Sequence, residues 1–115
     1  MKFTDTLKKN YEFRRLYSKG QSAATPYLVV YARKTKRQSS RIGFTVSTKL
    51  GGAVTRNRVR RRLREVYRLH EAEFLPGLEL VVVARSRAVG AEYRQLERAM
   101  LSAARKLGLL RETAP

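Results

Sequence analysis

The residues with the clearest chemical meaning form a run of arginines in the middle of the chain. Six of the nine residues from Arg56 to Arg64 are arginine. A guanidinium group grips a phosphate through two hydrogen bonds and can also stack on a base. The run lies where a helix is expected to begin, and clustered positive charge is unfavourable there, both between helical turns and against the helix dipole. A bound phosphate backbone makes the clustered positive charge favourable, because the arginines and the helix-start amides then contact anions. The run therefore predicts a nucleic-acid surface rather than a solvated helix face.

Few other residues could perform catalysis. The chain has no cysteine, and His70, its only histidine, falls on an apolar helical stripe that favours a partly buried structural role. The nine acidic residues are scattered and include a single aspartate, Asp5. Nucleases that use two cations need clustered carboxylates to hold them. The residues therefore predict a binding protein with no catalytic side chain and no metal ligands of its own, whose partner would supply any catalysis.

The overall composition narrows the class of partner. The 115 residues include 26 lysines and arginines, 18 of them arginine, against 9 acidic residues, for a formal net charge of +17. Such an excess repels itself unless a polyanion is near, and the arginine content favours nucleic acid over an anionic membrane. A generally basic protein from a basic proteome is the alternative. No apolar stretch approaches the roughly 18–20 residues of a membrane span, and no signal peptide is evident, so a cytoplasmic location is expected.

The elements that position these residues begin with a helix and two strands. Asn10 can cap a helix over residues 11–19. Residues 27–33 and 41–47 alternate as strands, and the basic loop between them predicts an antiparallel hairpin. Each strand has one apolar face. The other face carries Tyr27, Val29, Tyr31 and Arg33 on the first strand, and Gly43, Thr45 and Ser47 on the second.

The second half of the chain predicts a helix, a strand and a helix. The arginine run opens a helix that starts near residue 53 and ends near Phe74, because Pro76 and Gly77 cannot continue it. Residues 78–84 are nearly all apolar, as in a central strand covered on both faces. The last helix spans about residues 91–107.

These elements predict an α+β fold in the order α-β-β-(β)-α-β-α, with a short extra strand near residues 21–24. Helices pack on a small mixed sheet to give a sandwich. The whole chain, residues 1–115, is expected to be a single domain with a core over about 5–107 and frayed ends.

Four aromatic residues indicate how unpaired bases could be held. Phe13 and Tyr17 lie one helical turn apart, and Tyr27 and Tyr31 share the less apolar face of their strand. In one interpretation Phe13 is simply part of the core. In the other, bases stack on these rings in a groove while basic residues hold the phosphates.

The arginine run also lies in a recognisable context. The segment 53–65, with the letters AVTRNRVRRRLRE, closely resembles the RNR signature of the bacterial ribonuclease P protein subunit. Further similarity to that family's first helix is carried by Leu7, Lys8, Lys9, Asn10, Phe13, Tyr17 and Gly20. Similarity to its central strand and the following loop is carried by residues 41–47, Lys49 and Gly51. The resemblance covers roughly residues 5–107.

The resemblance implies the protein subunit of a ribonucleoprotein endonuclease. Such a subunit binds the catalytic RNA and the 5′ leader of precursor tRNA, and it assists removal of the leader to give the mature tRNA 5′ end. The RNA subunit would carry the catalysis and hold the Mg²⁺ cofactor. The positions matching the contact with the catalytic RNA are Arg56, Asn57, Arg58, Arg60, Arg61, Arg64 and Arg68. The positions matching the leader-binding cleft are Phe13, Tyr17 and Tyr31, with Lys49 nearby.

Two further implications concern the arginine-rich helix. The family resemblance implies that this helix lies in a βαβ crossover of the unusual left-handed kind. It assigns no contact to Arg62, the additional arginine of the run.

Two other functions fit the composition. A non-catalytic RNA-binding structural protein, such as a small ribosomal protein, would be equally basic, but the RNR context and the cleft aromatics favour ribonuclease P. A chromosomal DNA-binding protein would need a groove-reading helix and would have no use for a cleft that holds unpaired bases. No DNA or membrane partner is therefore expected.

Overall fold

A five-stranded mixed sheet with three helices forms the protein, whose computed structural model describes residues 1–111. The strands are β1 (Thr4–Thr6), β2 (Gln21–Ala24), β3 (Leu28–Lys34), β4 (Ser40–Thr45) and β5 (Leu78–Ala84). The helices are α1 (Asn10–Lys19), α2 (Ala53–His70) and α3 (Tyr93–Lys106). Short 3₁₀ turns occupy Thr48–Leu50, Glu71–Glu73 and Ser86–Ala88. The predicted α+β class and the short extra strand, β2, are confirmed.

The order of the strands differs from the predicted hairpin. They lie in the order β1-β4-β5-β3-β2, with β1, β4 and β5 parallel and with β3 and β2 antiparallel to their neighbours. The antiparallel pairing predicted between β3 and β4 is wrong, because β5 lies between them and pairs with both. All but one residue of β5 is buried. A strand that is apolar on both faces belongs at the centre of a sheet, and β5 takes that place.

The arginine-rich helix α2 connects two adjacent parallel strands. β4 precedes it, β5 follows it, and the two strands pair directly. This arrangement is the predicted βαβ crossover. Its left-handed sense remains an expectation from the family resemblance.

The helices cover the two faces of the sheet unequally. α2 and α3 pack on one face and bury the main core, which includes Leu28, Val30 and Ala32 from the apolar face of β3. α1 packs alone on the opposite face, against β3 and β5. A smaller cluster of Leu7, Leu16 and Val81 lies beneath it. Because one helix cannot cover five strands, part of this second face stays open.

Strand β1 was not predicted from the sequence. It has only three residues, two of them exposed, so its pattern is too short to read. The Glu71 carboxylate holds it in place by accepting hydrogen bonds from the Lys2 amide (2.7 Å), the Phe3 amide (3.0 Å) and the Thr4 hydroxyl (2.6 Å). Burial raises the pKa of Glu71, but these hydrogen bonds outweigh it and lower the pKa below its usual value.

The ends of several elements differ slightly from the predicted ones. Asn10 is the first residue of α1 rather than its cap; Lys9 takes the cap position, and its amide donates to the Glu12 carboxylate. Beyond α3 the chain stays packed. Leu109 is buried and Leu110 bridges to Phe74, so packed residues continue past residue 107, while the fraying of the ends stays a prediction. Residues 112–115 of that predicted tail lie outside the described residues.

None of the helices among residues 1–111 is both long and apolar enough to cross a membrane.

Candidate nucleic-acid interface

Helix α2 carries its arginines away from its buried stripe. Val59, Leu63, Val66 and Tyr67 are buried in the main core. The predicted contacts with the catalytic RNA lie on α2 outside this buried stripe and are called the arginine face: Arg56, Asn57, Arg58, Arg60, Arg61, Arg64 and Arg68. Five of these residues are exposed, while Arg56 and Arg60 are half-buried. The structure thus brings all seven together on one helix.

Most guanidinium groups of the arginine face have no acidic partner within residues 1–111. Arg56 donates to the Gly51 carbonyl (3.2 Å), and Arg60 donates to Oδ1 of Asn57 (2.9 Å). Arg68 is the exception, because it forms a hydrogen-bonded ion pair with Glu65. The hydrogen bond from Arg68 outweighs desolvation and lowers the pKa of Glu65 below its usual value. Arg68 is therefore the arginine of this face that is least available to bind a phosphate.

Arg62 has a structural contact that the sequence did not reveal. Its Nη1 donates to the carbonyl oxygen of Ala91 at 3.0 Å, immediately before α3. The side chain ties α2 to the loop that leads into α3. Arg62 therefore stands apart from the arginine face.

The start of α2 adds to the positive field. Gly52 is the cap residue and supplies no side-chain hydrogen bond, and the first turn contains no acidic residue. Amide groups of a first turn have no partner within the helix and carry partial positive charge. They lie next to Arg56 and Arg58, so helix amides and guanidinium groups can converge on the same anion.

The predicted leader cleft corresponds to the surface between α1 and the part of the sheet that α1 leaves uncovered. The ring of Phe13 lies directly on Gly43, where a Cβ atom would come within 2.5 Å of the ring. Tyr17 is 40% exposed, and its ring meets that of Tyr31 edge-on with centroids 5.0 Å apart. The Tyr17 hydroxyl is 2.9 Å from Oγ1 of Thr45. The structure thus places the three predicted aromatic residues close together, with Phe13 and Tyr17 on α1 and Tyr31 on β3.

The floor of the cleft is a row of small residues across four strands. In the sheet register Ala24 faces Val29, Val29 faces Val83, and Val83 faces Thr45. Val29, Val83 and Thr45 are half-buried and Ala24 is exposed. With neighbouring strands about 4.8 Å apart, the row is about 14 Å long. That length equals about four bases stacked at the 3.4 Å spacing of a nucleic-acid strand.

Tyr27 does not belong to the cleft wall. It precedes β3, which begins at Leu28, and it packs against the main core. Alternation placed Tyr27 and Tyr31 on one face, but that pattern applies only within the strand. Tyr31 is therefore the one β3 tyrosine available to the cleft.

Ion pairs fix α1 to the sheet on the side away from the cleft floor. Glu79 is buried and accepts from Arg15 (3.3 Å) and Arg33 (3.1 Å). Glu12, also buried, pairs with Arg41 of β4. Glu79 thereby connects β5 to α1 and β3, and Glu12 connects α1 to β4. These contacts set the position of α1, and hence of Phe13 and Tyr17 over the sheet.

Basic residues gather where the strands of the cleft end. Lys49 is exposed in the Thr48–Leu50 turn, between the end of β4 and the start of α2. Arg85 and Arg87 follow β5, just beyond Val83, and are exposed. Arg85 Nη1 donates to the Thr25 carbonyl at 2.9 Å. These two arginines were not among the predicted site residues, although a basic turn after an apolar strand was a visible signal.

His70 lies outside both surfaces and has the predicted structural role. Its Nε2 is 2.7 Å from a Glu97 carboxylate oxygen, and its Nδ1 contacts Glu73. Burial lowers the pKa of His70, but the hydrogen bonds to Glu97 and Glu73 outweigh it and raise the pKa above its usual value. The imidazole thus links the end of α2 to α3.

The acidic and histidine side chains of the described residues are not grouped as metal ligands. Among residues 1–111, no three histidine, aspartate or glutamate side chains come together in an arrangement that could hold a metal. The buried carboxylates are used instead: Glu12 and Glu79 pair with arginines, and Glu71 binds β1.

Comparison with known sequences gives a consistent result. The family model described as Ribonuclease P matches residues 1–108. A curated relative from Natranaerobius thermophilus, named Ribonuclease P protein component, is 44% identical over 107 residues, which are 93% of each chain. A second, of the same name, from Alkaliphilus metalliredigens is 39% identical and covers 96% of this chain and 99% of its own.

Solved structures share the fold. The RNase P protein of Staphylococcus aureus superposes with a TM-score of 0.83 at 33% identity, covering 92% of this chain and 97% of that one. The RNase P protein of Thermotoga maritima gives a TM-score of 0.77 at 26% identity, covering 85% of this chain and 93% of that one.

Proposed function

The chain belongs to the ribonuclease P protein family, the protein component of the endoribonuclease ribonucleoprotein that matures tRNA 5′ ends, and from this we propose how its surfaces divide the task. The arginine face of α2 binds the RNA subunit, and the cleft between α1 and the sheet holds the single-stranded leader of precursor tRNA. This assignment is supported by the different side chains on the arginine face and in the cleft. One surface offers arginines without aromatic rings, and the other offers rings over a floor of small residues.

The arginine face suits a folded RNA. Arg58, Arg61 and Arg64 are exposed and have no acidic partner within residues 1–111. Their guanidinium groups are free to bridge phosphates that folding of the RNA brings close together. Contacts of this kind position the protein on its partner without reading sequence.

The cleft suits a short unpaired strand. Bases are recognised in single-stranded RNA when they stack on aromatic rings, and such stacking tolerates any base. Phe13, Tyr17 and Tyr31 supply the rings, while Lys49 and the two arginines after β5 supply cations for the backbone. The leader exists only on the precursor, so a strand held here favours precursor tRNA over the mature product.

The RNA subunit holds the Mg²⁺ in this proposal. The carboxylates of residues 1–111 are dispersed or already paired, so no step of the cleavage is assigned to a metal on this chain. The protein contributes by neutralising phosphates on both RNAs and by keeping the leader in place, which lowers the Mg²⁺ concentration needed. A cytoplasmic site of action completes the proposal.

The RNA-binding part is tested by the salt dependence of holoenzyme assembly. Arg61→Gln should lower the slope of log K against log salt by about 0.7–0.9, the value of one phosphate contact. Arg98→Gln on α3 removes the same charge from an exposed position outside both surfaces and should leave the slope unchanged. Equal slopes for the two variants would count against direct phosphate contact by α2.

A further inference from the structure

A second basic surface lies on the side of α1 away from the cleft. It is an open groove of about 670 Å³ at the β1 edge of the sheet, and we call it the edge groove. Its basic lining residues come from four elements or loops: Lys8 and Lys9 before α1, Arg37 in the β3–β4 loop, Arg41 on β4 and Arg64 on α2. Its acidic lining residues are Asp5 on β1 and Glu12 on α1.

The edge groove has a clear excess of available positive charge. Lys8, Lys9, Arg37 and Arg64 are exposed, and none has an ion pair within residues 1–111. The fifth cation, Arg41, is used by Glu12. Among the described residues that line the groove, Asp5 is then the only acid left to oppose these four cations. Cations held this close together repel one another unless an anion lies between them.

The lining also indicates which kind of anion fits. It contains the hydroxyl groups of Thr6 and Ser39 but no aromatic ring. Lysine, arginine and hydroxyl groups are the usual donors to phosphate oxygens of a nucleic-acid backbone, whereas bases need rings or hydrogen-bonding edges. The edge groove therefore matches a ribose-phosphate backbone whose bases point away from the protein.

The position of the edge groove indicates which RNA binds there. Arg64 belongs to both the edge groove and the arginine face, so the two surfaces are continuous. The cleft, in contrast, is separated from the edge groove by the body of α1 and by the pairs that Glu12 and Glu79 make with arginines. A leader lying in the cleft would have to cross α1 to reach the groove.

We propose that the edge groove is a second binding site for the phosphate backbone of the RNA subunit, reached by a strand that passes from the arginine face around β1. This rests on the assignment of the arginine face to the RNA subunit. The site extends the contact with that RNA onto the start of α1 and the β3–β4 loop, outside the RNR segment.

The test compares two double variants with equal loss of charge. Lys8→Gln with Arg37→Gln removes one lysine and one arginine from the edge groove. Arg98→Gln with Lys106→Gln removes the same pair from exposed positions on α3. Affinity for the RNA subunit is measured between 50 and 200 mM salt. The groove variant should lower the salt slope by about 1.4–1.8, corresponding to two contacts, and the α3 variant should leave it unchanged.

Two further measurements decide the interpretation. Arg60→Gln with Arg61→Gln tests the arginine face separately. If that variant changes the slope while the groove and α3 variants behave alike, the edge groove is not an RNA site and the proposed function is unaffected. If the groove variant instead reduces the preference for precursor over mature tRNA without changing the slope for the RNA subunit, the groove binds the leader and our assignment is overturned.

Discussion

Replacing Tyr17 by alanine should reduce the preference of the holoenzyme for precursor over mature tRNA by about 5- to 150-fold. Tyr17 is 40% exposed at the wall of the cleft, so its ring can be removed without opening the core. A base stacked on an aromatic side chain contributes about 1–3 kcal/mol by alanine substitution. At about 1.4 kcal/mol per factor of ten, this range corresponds to the stated loss.

Two contacts of the Tyr17 side chain stabilise the free protein. Tyr17 meets Tyr31 edge-on at 5.0 Å and shares a hydrogen bond with Thr45. An aromatic pair of this type contributes about 0.5–1.5 kcal/mol. Tyr17→Ala should therefore lower the melting temperature only modestly, and an effect on tRNA preference cannot be attributed to unfolding.

The assay measures the affinity of the assembled holoenzyme for precursor tRNA and for mature tRNA, under conditions that prevent cleavage. Tyr17→Phe is the matched control, because it keeps the ring and removes only the partly exposed hydroxyl contact with Thr45. A hydrogen bond of this kind contributes about 0.5 kcal/mol at the low end of its range, so Tyr17→Phe should keep the preference within about threefold.

The reasoning would be refuted by an unchanged preference in a folded Tyr17→Ala holoenzyme. In that case no base stacks on this ring. An equal loss in Tyr17→Phe and Tyr17→Ala would also contradict stacking, because it would make the hydroxyl rather than the ring responsible.

Three other perturbations test the structure. Gly43→Ala places a Cβ atom 2.5 Å from the Phe13 ring, so it should lower the free energy of unfolding by about 1–3 kcal/mol, measured by thermal melting. Binding assays should show a weaker preference for precursor tRNA and unchanged binding to the RNA subunit. The pKa of His70 is raised in the folded protein, so protonated His70 stabilises the fold through its bonds to Glu73 and Glu97. That stabilisation is complete below the ordinary pKa of about 6.5 and is lost as pH rises through the folded pKa. Wild type should therefore lose more stability than His70→Gln between pH 6 and pH 8. Sulfate should raise the melting temperature more than chloride at equal ionic strength; equal effects would argue against anion sites among the arginines.

Much of the candidate site could be predicted from local sequence. The arginine run and the apolar stripe of α2 follow from helical spacing, and the family resemblance then implied which residues form the arginine face. The aromatic spacing on α1 and the alternation of β3 indicated Phe13, Tyr17, Tyr27 and Tyr31, and only the family resemblance selected Phe13, Tyr17 and Tyr31 for the cleft. What spacing could not decide was whether Phe13 is core or cleft. It is half-buried on Gly43, so it belongs to both.

Other contacts join residues too far apart in the chain for any pattern to reveal. Arg62 meets a carbonyl 29 residues later, and Glu71 holds amides 68 and 69 residues earlier. The edge groove combines residues from β1, β4, α1, α2 and two loops. Each arrangement depends on where whole elements dock.

The amino-acid sequence alone determined the charge, the helices and most strands, and the division between basic and aromatic residues, because these depend on residue type and on periods of 3.6 and 2. Tertiary structure decided the strand order. A basic loop between β3 and β4 is compatible with a hairpin, but β5, apolar on both faces, is more stable between them than at an edge. That insertion separates β3 from β4 and widens the sheet beyond the reach of α1, which leaves the open row of small residues that forms the floor of the cleft.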